Sequence, residues 1–128
     1  MTKYEMFQLV EKDGKKGIYI GELDDKPVVV SLKQPEKRMN WYDAMEYTKN
    51  IDERLPTQRE CMLAFIHKDK LNKAIKANGG DVWYNEWYWS SSEYTNPYGA
   101  WLVHATTGRV AWYLKSYHNL YVRCVLAF

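Results

Sequence analysis

Apolar and polar residues alternate at the start of the chain. Tyr4, Met6 and Gln8 lead into Leu9-Val10, and Lys12-Asp13-Gly14-Lys15 then supplies a turn into Gly17-Ile18-Tyr19-Ile20. A period of two is that of a half-buried strand, and Asp-Gly is a strong hairpin signal because both residues tolerate positive φ. A second turn at Asp24-Asp25-Lys26-Pro27 leads into Val28-Val29-Val30, whose β-branched run predicts a more fully buried strand. Three short strands are expected to open the chain.

Near residue 40 the period changes to that of a helix. Asn40 reads as a cap, Asp43 as the acidic residue of the first turn, and Trp41, Ala44, Met45 and Thr48 as one face of a helix ending near Asn50. Leu55-Pro56-Thr57-Gln58-Arg59-Glu60 is a clearer start, because Thr57 and Glu60 have the spacing of a capping box. Cys61, Met62, Phe65 and Ile66 are expected to line the apolar face of this second helix. A break is predicted near His67 to Asp69, then a further helical turn or two through Leu71, Ala74 and Ile75 that stops at Asn78-Gly79-Gly80.

A long irregular loop is expected next, carrying an aromatic cluster, followed by a hairpin from Ala100–Ala105 through Thr106-Thr107-Gly108 to Arg109–Leu114. Tyr117-His118-Asn119 reads as another turn, and Leu120–Phe128 is apolar and β-branched enough to be a central strand. The order of strands, two helical segments, loop and strands predicts an α+β domain. No repeat, low-complexity segment or linker divides the chain, so residues 1–128 read as a single domain.

Composition narrows the function. A net charge of +2 lacks the basic excess that phosphate backbones require, which argues against nucleic acid. No apolar run approaches the roughly 20 residues of a membrane span, and Met1 to Gln8 lacks a secretion signal's apolar core, so the expectation is no membrane insertion and a cytoplasmic product as synthesised. Cys61 and Cys124 are too few for a disulfide framework or zinc site and read as buried thiols. Lys68, Lys70, Lys73 and Lys76 read as a solvated helix face.

The aromatic residues are the strongest functional signal. Residues 83 to 121 hold five of the six Trp and seven of the eleven Tyr, among Ser, Asn, Gly and His. Trp83, Tyr84, Trp87, Tyr88 and Trp89 follow one another too closely for all to face inward at any single period. Rings left in water among small polar residues are what recognition surfaces use, since each gives a large contact at low entropy cost. Trp87, Trp89, Trp101 and Trp112 are assigned to the scaffold, because Trp is mostly buried. Tyr84, Tyr94, Tyr98, Tyr113 and Tyr117 are assigned to ligand contact, with Asn85, Asn96, His104, His118 and Asn119 beside them. Arg123 is expected to pair with an acid across the sheet.

Arg54-Leu55-Pro56-Thr57 opening a helix, then Tyr88-Trp89-Ser90-Ser91-Ser92, Ala100-Trp101, the Gly108 turn and Tyr121-Val122-Arg123-Cys124-Val125 together resemble the DUF1566 type of C-type lectin-like domain of bacteria and phages. The resemblance covers residues 38–128, with the strands of residues 1–37 ahead of it. It implies a C-type lectin-like fold: two helices, small antiparallel sheets, chain ends brought together and a long loop region. The Tyr, Asn and His at positions 94, 96, 98, 104, 113, 117, 118 and 119 are also similar to the output of adenine randomisation in variable proteins of diversity-generating retroelements. That likeness implies a phage, prophage or bacterial recognition module, virion-associated in the phage setting, whose partner is a protein or glycan on a cell surface.

Other classes fit less well. Calcium-dependent sugar binding needs carboxylates around the ion, and the Glu-Pro-Asn and Trp-Asn-Asp signatures of calcium-binding lectins are absent; Asn96-Pro97 reads as a turn. Sulfatase-activating, formylglycine-generating oxygenases share the lectin-like fold and an Arg-Cys strand, but their reactive cysteine pair is not matched by two thiols at apolar positions. His67, His104 and His118 belong to no metal motif. The expectation is therefore no cofactor, no metal and no catalysis, with a homo-oligomeric assembly domain as the rival reading.

Overall fold

The computed structural model describes residues 4–128; residues 1–3 of the expected N-terminal region lie outside the described residues. Strands β1 (Leu9–Lys12), β2 (Lys15–Leu23) and β3 (Lys26–Ser31) form an antiparallel sheet in that order. Both hairpin turns run through positive φ, at Asp13 (54°) and Gly14 (79°) and at Asp24 (52°) and Asp25 (62°). That is the backbone twist a tight two-residue hairpin demands, and Asp tolerates it better than most side chains. The valine run is buried on both faces of the sheet: Val28 and Val30 join Ile18, Ile20, Ala64, Leu71, Ile75 and Val125, while Val29 joins Val10, Tyr19 and Leu126.

Helix α1 (Trp41–Asn50) is capped by Asn40, whose side chain accepts the Asp43 N–H at 2.8 Å. Helix α2 (Gln58–Ile66) has the full capping box, and Glu60 does a second job there. Its carboxylate accepts the Thr57 N–H and also takes two bonds from the Arg54 guanidinium at 2.6 and 2.5 Å. Burial alone pushes the Glu60 carboxyl up, but the Arg54 and Thr57 hydrogen bonds outweigh it and hold the group below its ordinary range. The start of α2 is fastened to the Ser90-Ser91-Ser92 segment as well: Pro56 O accepts the Ser91 N–H at 2.8 Å, and Ser92 Oγ accepts the Gln58 N–H at 2.9 Å. The RLPT and SSS motifs are thus two sides of one joint.

The buried face of α2 differs from expectation. Glu60, Cys61 and Ala64 face inward, whereas Ile66 is 67% exposed. The helix stops at Ile66 and α3 (Lys68–Ala77) restarts immediately, so Ile66 caps no core layer, and the inward row passes to Leu71 and Ile75. The third helix is ten residues long, more than the turn or two expected.

The aromatic cluster is not a loop throughout. Residues 78–86 are irregular, but β4 (Trp87–Glu93) is a strand, and β5 (Gly99–His104) and β6 (Val110–Leu114) complete a second antiparallel sheet in the order β4-β5-β6. Burying Tyr88, Trp89 and Ser90 makes backbone pairing obligatory there, and pairing overrides the loop-like composition.

The C-terminal segment is likewise not the central strand expected. It forms isolated bridges, Met39 with Leu120, Tyr88 with Tyr121, and both Val30 and Arg54 with Val125. The segment changes partner every few residues, so no ladder propagates. It runs instead between the sheets, bonding β4 through Tyr121 and β3 through Cys124 and Leu126. Tyr4 and Phe128 meet edge to face with centroids 6.4 Å apart, which brings the two ends together.

Candidate functional site

The two faces of the β4-β5-β6 sheet have different fates. On the inner face Trp89, Ala100 and Leu102, with Ala111 and Tyr113 partly buried, pack against Trp41, Ala44, Leu55, Leu120 and Val122. Indole N–H groups fix this face: Trp41 Nε1 donates to Ser90 O and Trp89 Nε1 to Met39 O, each at 2.9 Å. On the outer face the register sets Trp101 opposite Trp112. Tyr94 stacks on Trp112 with centroids 4.3 Å apart and planes 8° from parallel, and it meets Trp101 edge-on at 5.1 Å. Such pairs contribute about 0.5–1.5 kcal/mol each beyond the area they bury.

Gly99 makes the stack possible. A Cβ there would lie 2.7 Å from a Trp112 ring carbon, so only glycine lets the indole rest on the strand. Helix α2 covers the other end of this outer face, where Cys61, Ala64 and Phe65 enclose a small cavity with Val103 and Ala105. The ring group and the β6 side chains beyond it stay open.

The loop from Tyr94 to Tyr98 is held tightly. Gly99 O accepts the Tyr94 N–H, Asn96 O accepts the Gly99 N–H, and the Asn96 side chain accepts the Tyr98 N–H, all at 3.0 Å. Lys115 ties this loop to the core. Its side chain is buried, with Nζ donating to Pro97 O at 2.7 Å, 3.3 Å from a Glu93 carboxylate oxygen and 4.4 Å from the Trp41 ring centroid. Tyr98, 71% exposed, projects from a loop that is itself anchored.

The residues chosen from sequence fall into separate groups. Tyr94, Asn96 and Tyr98 belong to the outer face and its loop. Tyr113 points toward the inner side and meets His118 at 4.3 Å, with His118 also 5.4 Å from Tyr117, which is 79% exposed. Asn119 is exposed in the turn that follows. Tyr84 packs edge-on against Tyr121 at 5.0 Å beside exposed Asn85. His104 already has a local task, since its Nδ1 accepts the N–H groups of Thr106 and Thr107 at 3.3 Å and its ring meets Trp87 at 5.2 Å. No single constellation gathers all ten.

Two assignments are corrected. Trp112 is not buried scaffold but a member of the outer face, 38% exposed even with the Tyr94 ring stacked on it, because β6 is the edge strand of its sheet. Sequence could not show this, since both parities of β6 are apolar. Arg123 pairs with no acid: it is fully buried (0% exposed) and donates to Ser31 O, Leu32 O and Gln34 Oε1 at 2.7–3.1 Å while lying 5.5 Å from the Trp83 ring centroid. Neutral carbonyl acceptors between the sheets take the place of a carboxylate, and burial lowers its pKa to about 10.

The remaining chemistry is modest. Both thiols are free and buried, and burial pushes Cys61 up strongly and Cys124 up to about 12, which keeps them protonated. Among the described residues no group of three or more His, Cys, Asp or Glu could hold a metal ion, and no helix is long and apolar enough to cross a membrane. Two grooves of about 610 and 560 Å³ flank Arg54 and Thr57, and neither is lined by Tyr94, Trp101 or Trp112. The ring group is a raised platform rather than a cleft.

The model of one protein family, described as the Lcl C-terminal domain, matches residues 5–126. No curated protein matches the chain.

Proposed function

The chain belongs to the Lcl C-terminal domain family, and from that premise we propose that it is a ligand-binding module recognising a protein or glycan on a cell surface. The observation that supports this most is the Tyr94–Trp112 stack, presented on a strand pair whose opposite face is locked into the core. A rigid backbone carrying large amphipathic rings forms contacts without first paying ordering entropy. Tyr98 and Tyr117 extend the contact area, and the exposed amides of Asn96 and Asn119 supply hydrogen bonds. In this reading the module needs no cofactor and catalyses no reaction.

The finer setting is a DUF1566-like lectin-fold protein of phage or bacterial origin, diversified by a retroelement. Positions 96, 98, 117 and 119 suit that role, because their side chains are exposed while Lys115, Gly99 and Trp41 hold the backbone. A neighbouring reverse transcriptase gene with a near-copy of the codons for residues 84–121, differing only at adenines, is expected; differences at other bases would exclude it.

The binding reading is tested by probing a glycan array and intact bacterial cells with the wild-type domain and with Trp112→Ala and Tyr98→Ala. Binding that weakens by roughly tenfold or more in Trp112→Ala is expected. Binding indifferent to both substitutions, or none to any probe, would overturn it. The same exposed row favours a homo-oligomeric assembly domain as second reading, and a solution mass above the monomer that falls in Trp112→Ala would favour it.

A further inference from the structure

We infer that the free edge of β6 takes up an extended peptide by strand addition, one with apolar residues at alternate positions and a carboxylate placed to meet Arg109. This rests on the ligand-binding reading above and names the partner's chemistry.

The edge is defined by the ladder on its other side. His104 N–H donates to Arg109 O at 2.9 Å and Lys115 N–H donates to Tyr98 O at 2.8 Å, so these residues face β5. Antiparallel alternation then turns Arg109, Ala111, Tyr113 and Lys115 toward β5 and aims the N–H and C=O groups of Val110, Trp112 and Leu114 outward. The sheet ends at β6. Among the described residues, only Leu114 O of this outward set has a partner, the Tyr117 N–H. The same three residues carry the exposed apolar side chains, at 40%, 38% and 41%. Unpaired backbone and an apolar row therefore coincide on one strand.

Natural proteins protect such edges with proline, lysine or a bulge, and the segment from Val110 to Leu114 has none of them. An open edge of this kind is how sheets capture extended peptides: backbone bonds give affinity and alternate side chains give selectivity. Charge distinguishes the occupant. Arg109 is exposed and free of any ion pair among the described residues, whereas Lys115 at the other end is neutralised by Glu93. A second copy pairing symmetrically about Trp112 would set Arg109 opposite Lys115, a buried cation already paired with Glu93, and so would offer Arg109 no carboxylate. A peptide with an acidic residue at the Arg109 end supplies that partner.

The experiment selects binders from a displayed library of random peptides against the wild-type domain, then measures them against Val110→Pro and Val110→Ala. Proline at an outward-facing edge position removes one N–H while leaving the β5 ladder intact, and alanine keeps the N–H while trimming the side chain. Enriched peptides should alternate apolar residues, carry an acid, lose roughly tenfold or more affinity for Val110→Pro and much less for Val110→Ala, and slow amide exchange at Val110 and Trp112. Circular dichroism and melting of both variants confirm that they fold. Binders indifferent to Val110→Pro, no enrichment, or a wild-type dimer that Val110→Pro dissociates would each overturn the inference. Glycan or cell binding lost in Trp112→Ala but kept in Val110→Pro would leave the aromatic-face reading standing while this one fails.

Discussion

The ammonium of Lys115 sits 4.4 Å from the centroid of the Trp41 ring, at the point where the start of α1 meets the end of β6. The Lys115 carbonyl also accepts the Trp41 N–H at 2.9 Å, so backbone and side chain of one residue hold both ends of the other. A cation over an indole gains about 0.5–2 kcal/mol, more when desolvated. Through Pro97 and Glu93 the same ammonium fixes the loop that presents Tyr98.

Lys115→Met keeps the aliphatic stem but frees the Pro97 carbonyl and the Glu93 carboxylate. The expected loss is about 1–3 kcal/mol in urea unfolding, with faster amide exchange confined to residues 94–99. Exchange that stays at the wild-type rate there would show that the loop holds itself.

Gly99→Ala places a methyl against the Trp112 ring. The indole must leave Tyr94, giving a red-shifted Trp emission and a stability loss of about 1–3 kcal/mol, as overpacking in a filled site does. An unchanged emission spectrum would mean that the ring has room to move aside.

Acid should weaken the joint between Arg54 and Glu60. The Glu60 carboxyl lies below its ordinary value of 4.5 in the folded state. The unfolded chain therefore binds more protons in that window, and stability rises with pH across it. The contribution is fully present above the unfolded value and is lost as pH falls through the folded one. In Glu60→Gln the melting temperature should drop at neutral pH and its dependence between pH 5 and 3 should flatten; a slope equal to the wild type would contradict this. Glu53 carries the opposite sign, because burial raises its pKa and its stabilising effect fades as pH rises.

Replacing Arg123 should be costly without any acid being involved. Arg123→Met removes a donor from the Ser31 and Leu32 carbonyls and from Gln34 Oε1, the last two keeping the Asp81 N–H and the Tyr88 hydroxyl, and a loss of about 1–3 kcal/mol is expected. Arg123→Lys should recover little, since one ammonium cannot reach three acceptors spread along a planar fork. Full recovery by lysine in denaturant unfolding would show that charge alone matters there.

Local signals in the chain were reliable where the physics is local. The Asp13-Gly14 turn, the Asn40 cap and the Thr57–Glu60 box depend on residues within a few positions of one another, and all three stand in the structure. The valine run was legible because burial on both faces leaves no polar parity. Signals failed where a distant partner decides the outcome. Whether Trp112 is covered depends on β6 being last in its sheet, whether Arg123 meets an acid depends on carbonyls nearly a hundred positions away, and whether Leu120–Phe128 is a strand depends on two sheets taking turns to bind it. Of the candidate site, the loop from Tyr94 to Tyr98 was foreseen as exposed; its stacking partner was placed in the core.

Residues 120–126 lend side chains to every apolar cluster: Val125 to the first, Leu120, Val122 and Cys124 to the second, Leu126 to the third. Neither half of the molecule can melt while the other survives, because both would lose the shared thread at the same instant. Calorimetry should record a single sharp endotherm, and proteolysis should find the domain either whole or gone.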